Sequence, residues 1–93
     1  MNDKDDFYRK LKIQLDDTTA FPADYLYKFI VPTTENQVAE VESIFNNTGA
    51  IITTKKSKKG KYVSVSILLK LNSSDEIITF YEKSGKVKGI ISL

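Results

Sequence analysis

The amino-acid sequence predicts one small α+β domain in which four strands and two helices follow the order βαββαβ. Three observations carry that expectation. Residues 62–71 keep a period of two across ten positions. Two other stretches, after Thr34 and after Ser73, change to helical spacing. A chain of 93 residues has room for one hydrophobic core and not for two. An apolar fraction of 41% against a charged fraction of 28% separates it from disordered chains, which pair low hydrophobicity with high net charge.

The first strand is Asp24-Tyr25-Leu26-Tyr27-Lys28-Phe29-Ile30-Val31, aromatic and β-branched, closed by Pro32, which has no N–H to give a ladder. From Thr34 the spacing places Val38, Val41, Ile44 and Phe45 on one helical face and Gln37, Glu40, Ser43 and Asn47 on the other. Thr34 and Gln37 have the spacing of a capping box, and Gly49 supplies a left-handed residue to close the helix near Thr48. Ala50 to Ser57 reads as the second strand, and Lys58-Lys59-Gly60-Lys61 as a hairpin turn into the third, Tyr62 to Leu71. There Val63, Val65, Ile67, Leu69 and Leu71 face the core, while Tyr62, Ser64, Ser66, Leu68 and Lys70 face away. Ser73 and Glu76 form a second capping box ahead of Ile77, Phe80 and Tyr81, at i, i+3 and i+4, and Gly85 ends that helix. The last strand, Lys86 to Leu93, is expected to turn Val87, Ile91 and Leu93 inward and Lys88, Ile90 and Ser92 outward.

Right-handed crossovers in both β-α-β halves put the two helices on one face and order an antiparallel sheet 4-1-3-2, the ferredoxin-like arrangement. The second strand is then an edge, where Lys55 and Lys56 discourage pairing with another sheet. This domain occupies residues 24–93, and residues 1–23 form an N-terminal segment. In that segment Phe7, Leu11 and Leu15 suit a helix, whereas Leu11, Ile13 and Leu15 suit a strand. A short helix from Asp5 or Asp6 is favoured, because acidic residues in a first turn complement the helix dipole, and Thr18 to Pro22 then reads as a linker.

Residues 1–24 carry net negative charge and the rest net positive, within an overall charge of +2. No window approaches the roughly 18 apolar residues of a membrane span, and the start is acidic rather than signal-like, so a cytoplasmic protein is expected. The absence of cysteine fits a reducing compartment and removes disulfides and thiolate chemistry, and the absence of histidine removes imidazole bases and histidine metal ligands. Neither a catalytic residue nor a cofactor or metal site is expected. Asp3, Asp5 and Asp6 lie in the N-terminal tail and Asp16-Asp17 beside a linker. Paired carboxylates do chemistry only where burial shifts their pKa.

Phe21-Pro22 before Tyr27-Lys28-Phe29, then Ser57-Lys58-Lys59-Gly60-Lys61-Tyr62 running into Ser64-Val65-Ser66-Ile67, and a terminal Val87-Lys88-Gly89-Ile90-Ile91-Ser92-Leu93 together resemble the YbeD-like family of small bacterial proteins. The resemblance spans roughly residues 20–93 and is most specific at 57–65. It implies a ferredoxin-like fold similar to ACT-type regulatory domains, in a family without an assigned activity. ACT domains that bind amino acids usually carry a glycine-containing loop after their first strand, where this chain has Pro32-Thr33-Thr34.

The sharpest functional feature is a run of five lysines within seven residues, Lys55, Lys56, Lys58, Lys59 and Lys61, followed by Tyr62 and Ser64. Such a run either solubilises an edge and its turn or grips an anion or a protein partner. Lys59-Gly60 matches the opening of an RNA-stacking motif, but Lys61 and Val63 occupy the stacking positions, leaving Tyr62 as a lone platform. A phosphate- or nucleic-acid-binding domain using the lysine-rich hairpin at 55–61 is therefore the alternative, and a non-catalytic interaction or regulatory module the leading expectation. The open sheet face is expected to show Leu26, Ile30, Leu68 and Ile90 among Lys28, Ser64, Ser66, Lys88 and Ser92. Apolar groups there imply cover, either by the N-terminal segment through Phe7, Leu11 and Leu15 or by a second copy in a homodimer. The remaining expectation for a partner is an unknown protein or small ligand.

Overall fold

The computed structural model describes residues 3–93, with side chains from Asp5 onward. Its elements run α1 Asp3–Thr18, β1 Ala23–Pro32, α2 Gln37–Ile44, β2 Ile51–Lys56, β3 Tyr62–Leu71, α3 Ser74–Ser84 and β4 Ile91–Ser92. The sheet is antiparallel in the order β2-β3-β1-β4, which is the ferredoxin-like order expected, with an added N-terminal helix.

β1 and β3 form the centre, paired without interruption from Ala23↔Leu71 to Pro32↔Tyr62. Their inward positions, Tyr27, Phe29 and Val31 against Val63, Val65, Ile67, Leu69 and Leu71, are all buried. Across from them α2 contributes Val41, with Phe45 just beyond it, and α3 contributes Ile77. Aromatic rings make up much of the contact. Tyr27 stacks on Phe29 and meets Phe45, Phe80 and Tyr81 edge-on or tilted, with centroids 4.8–6.4 Å apart. Its buried hydroxyl donates to the Ile77 carbonyl oxygen at 2.8 Å, so the largest ring in the core leaves no polar atom unsatisfied. Burial pushes the Tyr27 hydroxyl well above the ordinary tyrosine range, helped by the neighbouring Tyr81 and Tyr25.

α1 is longer than the short helix expected and begins before Asp5, so Asp3, Asp5 and Asp6 lie in its first turn rather than in a loose tail. It packs on the helical side of the sheet beside α3. Leu15 enters the buried core and Leu11 packs against it. At its far end the Ser74 hydroxyl donates to Asp16 Oδ1, and Lys12 Nζ lies 3.3 Å from Asp16 and 3.2 Å from Asp75. Asp16, read from sequence as solvated chain beside a linker, is therefore a docking group for the first turn of α3. The Ser74 hydroxyl and then Lys12 hold its carboxyl below the usual carboxylate range. This placement removes one of the two expected covers of the open sheet face, that through Phe7, Leu11 and Leu15: the helix lies on the opposite side.

Two other expectations change. α2 begins at Gln37 and stops at Ile44, short of Gly49, with a turn through Asn47 and Gly49, both at positive φ. Gln37 is buried rather than outward. Its Oε1 accepts from the Glu35 N–H at 2.8 Å and its Nε2 donates to the Thr34 hydroxyl at 3.0 Å, so the side chain closes the loop ahead of the helix instead of a Thr34 capping box. Ser73 does cap α3 as expected, its Oγ accepting from the Glu76 N–H at 3.2 Å. The last strand is much shorter than Lys86 to Leu93. Turns through Val87 N–H to Ser84 O and Ile90 N–H to Val87 O, with Gly89 at φ +74°, occupy its first half. The extra turn shifts the alternation by one. Val87 is buried as expected, but Ile90 packs against the core while Ile91 and Leu93 are exposed, the reverse of the predicted facing.

Candidate functional site

The face of the sheet away from the helices is uncovered. The registers place Ile51, Leu68 and Leu26 side by side in one row, Thr53, Ser66 and Lys28 in the next, and Lys55, Ser64, Ile30 and Ile91 in the third. Leu26, Ile51, Leu68 and Ile91 are all substantially exposed. Apolar groups side by side in a row on a surface mark an interaction site more often than isolated ones do. Of the face expected from sequence, Leu26, Ile30, Leu68, Lys28, Ser64 and Ser66 stand there, whereas Ile90 is replaced by Ile91.

The lysine hairpin closes one end of this face. Gly60 sits at φ +71° with open space around it, so glycine is required there by the turn and not by a close neighbour. Its N–H donates to the Ser57 carbonyl oxygen at 3.0 Å, the Ser57 N–H donates to Tyr62 O at 2.8 Å, and the Tyr62 N–H donates back to Ser57 Oγ at 3.1 Å. Thr33, immediately after β1, clamps the loop from outside. Its hydroxyl donates to Gly60 O at 2.7 Å and its N–H to Lys61 O at 3.0 Å. The turn is thus fixed to the central strand.

Beside the hairpin lies a hollow of about 200 Å³ lined by Ile30, Lys55, Lys56, Ser57, Tyr62 and Ser64. Four of the seven residues singled out from sequence, Lys55, Lys56, Tyr62 and Ser64, meet in it. Lys58, Lys59 and Lys61 do not; they ring the turn in solvent. Tyr62 presents about half its surface, and Ser64 reaches toward the Lys55 carbonyl oxygen at 3.5 Å. None of the five lysines is paired with a carboxylate among the described residues. The hollow therefore offers cations, hydroxyls and one phenol over an apolar floor. That combination suits an anionic group carried on an apolar body. Sequence reasoning missed Ser57 as lining and Thr33 as clamp. A threonine directly after a strand-ending proline, opposite a hairpin glycine, is a signal only once the register is known.

Among the described residues no cluster of carboxylates is arranged to hold a metal ion, and no helix is long and apolar enough to cross a membrane.

This sheet and its two helical crossovers define a small α+β module of ferredoxin-like, ACT-type architecture. An uncharacterized protein from Thermotoga maritima shares it with a TM-score of 0.64 at 16% identity, over 75% of this chain and 90% of that one. The ACT domain from GTP pyrophosphokinase of Chlorobium tepidum shares it with a TM-score of 0.55, also at 16% identity, over 76% of this chain and all of that domain. At such identity the likeness is one of fold. In sequence, the family model described as "Protein of unknown function (DUF493)" matches residues 16–92. The UPF0250 protein YbeD of Escherichia coli O157:H7 is 32% identical over 80 residues, covering 83% of this chain and 92% of that protein. The same protein of Shigella boydii matches equally. The chain belongs to this YbeD/UPF0250 family.

Proposed function

We propose that the chain is a non-catalytic interaction or regulatory module that docks a protein partner on its open sheet face, with the lysine hairpin as the charged end of that surface. The observation that carries this reading is the continuity of the two features. The Ile51-Leu68-Leu26 row runs through Ser66 and Lys28 to the hollow at Lys55, Tyr62 and Ser64 on one flat face. A partner with an apolar patch bordered by carboxylates complements it, the apolar rows supplying affinity and the lysines steering and register. A second copy of the chain fits the apolar part alone. Amino-acid binding after the first strand is disfavoured, because Thr33 already uses its N–H and hydroxyl to hold the hairpin.

Cross-linking capture from the native cell, compared between the wild-type chain, Leu68→Lys and Lys55→Glu/Lys56→Glu, tests the reading. A specific partner should be lost in both variants and weaken with salt. A partner set indifferent to both variants removes the proposal. Sedimentation of the purified chain tells self-association apart from capture of another protein.

The lysine run favours a second reading, in which the hairpin binds nucleic-acid phosphates. Neutralising five phosphates of a duplex gives a slope of log K against log salt of about −4.5. A flat slope, or unchanged binding in Lys58→Ala/Lys59→Ala, rules it out.

A further inference from the structure

On the helical side of the sheet, away from the hairpin, a second cavity of about 380 Å³ opens between the first turns of α1, the end of α3 and β4. Its floor is core: Phe29, which is fully buried, and Tyr81. Its walls include Tyr8 and Ile90, and its rim is formed by Phe7 and Leu93, 60% and 71% exposed. Among the described residues the lining contains no side chain of Lys, Arg, Asp or Glu. α1 seals the core with Leu15 and Leu11 but leaves its first turns overhanging this gap.

The polar side chains are few, the phenols of Tyr8 and Tyr81 and the hydroxyl of Ser92. Tyr81 shares a hydroxyl–hydroxyl hydrogen bond of 2.7 Å with Tyr25. Two O–H groups and one such bond leave one phenolic proton to give elsewhere. Burial, then the Tyr25 hydrogen bond, raises Tyr81, and burial followed by the nearby Glu82 raises Tyr8. Both phenols therefore stay protonated across the physiological range. A water in such a hollow needs two to four polar partners, and walls of Phe, Leu and Ile supply few. A volume near the lower end of the roughly 300–1,000 Å³ found for small-molecule sites, with apolar walls, buried aromatic flooring and phenolic donors, has the make-up of a ligand pocket.

We propose that this cavity is a binding site for an uncharged, largely apolar small molecule, of aromatic or branched-chain type, carrying one hydrogen-bond acceptor for the Tyr8 and Tyr81 side. The charge follows from the described lining side chains, among which an ion would find no counter-charge. The site is independent of the open face, being on the other side of the sheet.

Titration with the uncharged fluorophore N-phenyl-1-naphthylamine tests it. Saturable enhancement with one site per chain is expected. Phe7→Ala/Leu93→Asp, both at exposed rim positions, should weaken it about tenfold, and Leu68→Lys on the opposite face should leave it unchanged. Amide shifts of the wild-type chain on adding the fluorophore should cluster at Tyr8, Phe29, Tyr81 and Ile90. The proposal is overturned by enhancement that does not saturate, by loss of binding in Leu68→Lys with retention in the rim variant, or by shifts clustering at Leu26 and Leu68.

Discussion

Ile67 and Leu68 are neighbours on β3, similar in size and hydrophobicity, and they live in different worlds. Ile67 is wholly buried beneath the helices, whereas Leu68, paired with Leu26 and Ile51, is 39% exposed on the open face. The strand alternates and therefore presents one apolar residue to a finished core and the next to an unfinished one. A fold of this size needs only one covered face to be stable. Apolar residues on the second face add only cross-strand contacts to the isolated chain, and their grouping there is what the proposed docking surface rests on.

The largest effect that sharpens the contrast comes from truncating each residue in turn. Ile67→Ala removes buried methyl and methylene groups and leaves a cavity beside Tyr27, costing about 2–5 kcal/mol. Leu68→Ala should cost only about 1 kcal/mol in the dilute chain, since it loses just the cross-strand contacts with Leu26 and Ile51. Urea unfolding at low protein concentration measures both. If the Leu68→Ala cost climbs toward that of Ile67→Ala as concentration rises, a second copy covers the face. Equal costs at every concentration would mean that the open face is no surface at all.

Two glycines with the same backbone give the next step. Gly89 and Gly60 both sit at positive φ, +74° and +71°. A Cβ on Gly89 would meet Pro32 Cγ at 2.7 Å and Cδ at 3.3 Å, while one on Gly60 would meet nothing within 4 Å. Gly60→Ala carries the backbone strain alone, about 1 kcal/mol or somewhat more. Gly89→Ala adds a collision with a rigid ring that has no rotamer to escape into, for a total of about 2–3 kcal/mol. Thermal melts of the two variants should separate by several degrees. Identical melts would mean that the Gly89 turn shifts away from Pro32.

These elements also mark how far the sequence alone could be read. The β3 register was legible because period two ran unbroken and both flanks carried turn residues. The sheet order followed from right-handed crossovers through the two helices. The parity of β4 was not legible, because alternation says nothing about a turn hidden inside a short strand, and Gly89 shifted the facing of Ile90 and Ile91. Gln37 was misplaced because polarity suggested solvent, while its amide is consumed by the loop it closes. At the hairpin, composition pointed to the lysines, and the structure divides them into Lys55 and Lys56 at the hollow and the rest around the turn. α1 docks on the helical side through Leu15 and Leu11 and through a polar latch between Asp16 and Ser74, residues far apart in sequence with no pattern joining them.

A smaller effect runs the other way. Ser84 is fully buried in the last turn of α3, and its hydroxyl has no partner among the described residues. An unsatisfied buried hydroxyl costs about 1–3 kcal/mol, so Ser84→Ala should stabilise the chain by about 1 kcal/mol, read as a raised melting temperature. A lowered one would reveal a partner for that hydroxyl.

The subtlest prediction concerns the latch that keeps α1 on the covered side. Asp16 is held below its ordinary value of 3.8, by the Ser74 hydroxyl first and Lys12 after it. A carboxyl depressed in the folded state binds fewer protons there than in the unfolded chain, so stability rises with pH in this range. Its contribution is complete above the unfolded value, near 4, and is lost as pH falls through the folded one. Lys12 is raised above 10.5, by Asp75 first and Asp16 next, so its share is lost only as pH climbs past that value. Between these limits the latch is pH-independent. The melting temperature of Asp16→Asn should fall a little below wild type at pH 6, and the gap should narrow from there toward pH 2.5, as the wild-type carboxyl begins to take up its proton. A gap of the same size at both pH values would assign the loss to packing, and α1 would then owe its side of the sheet to Leu11 and Leu15 alone.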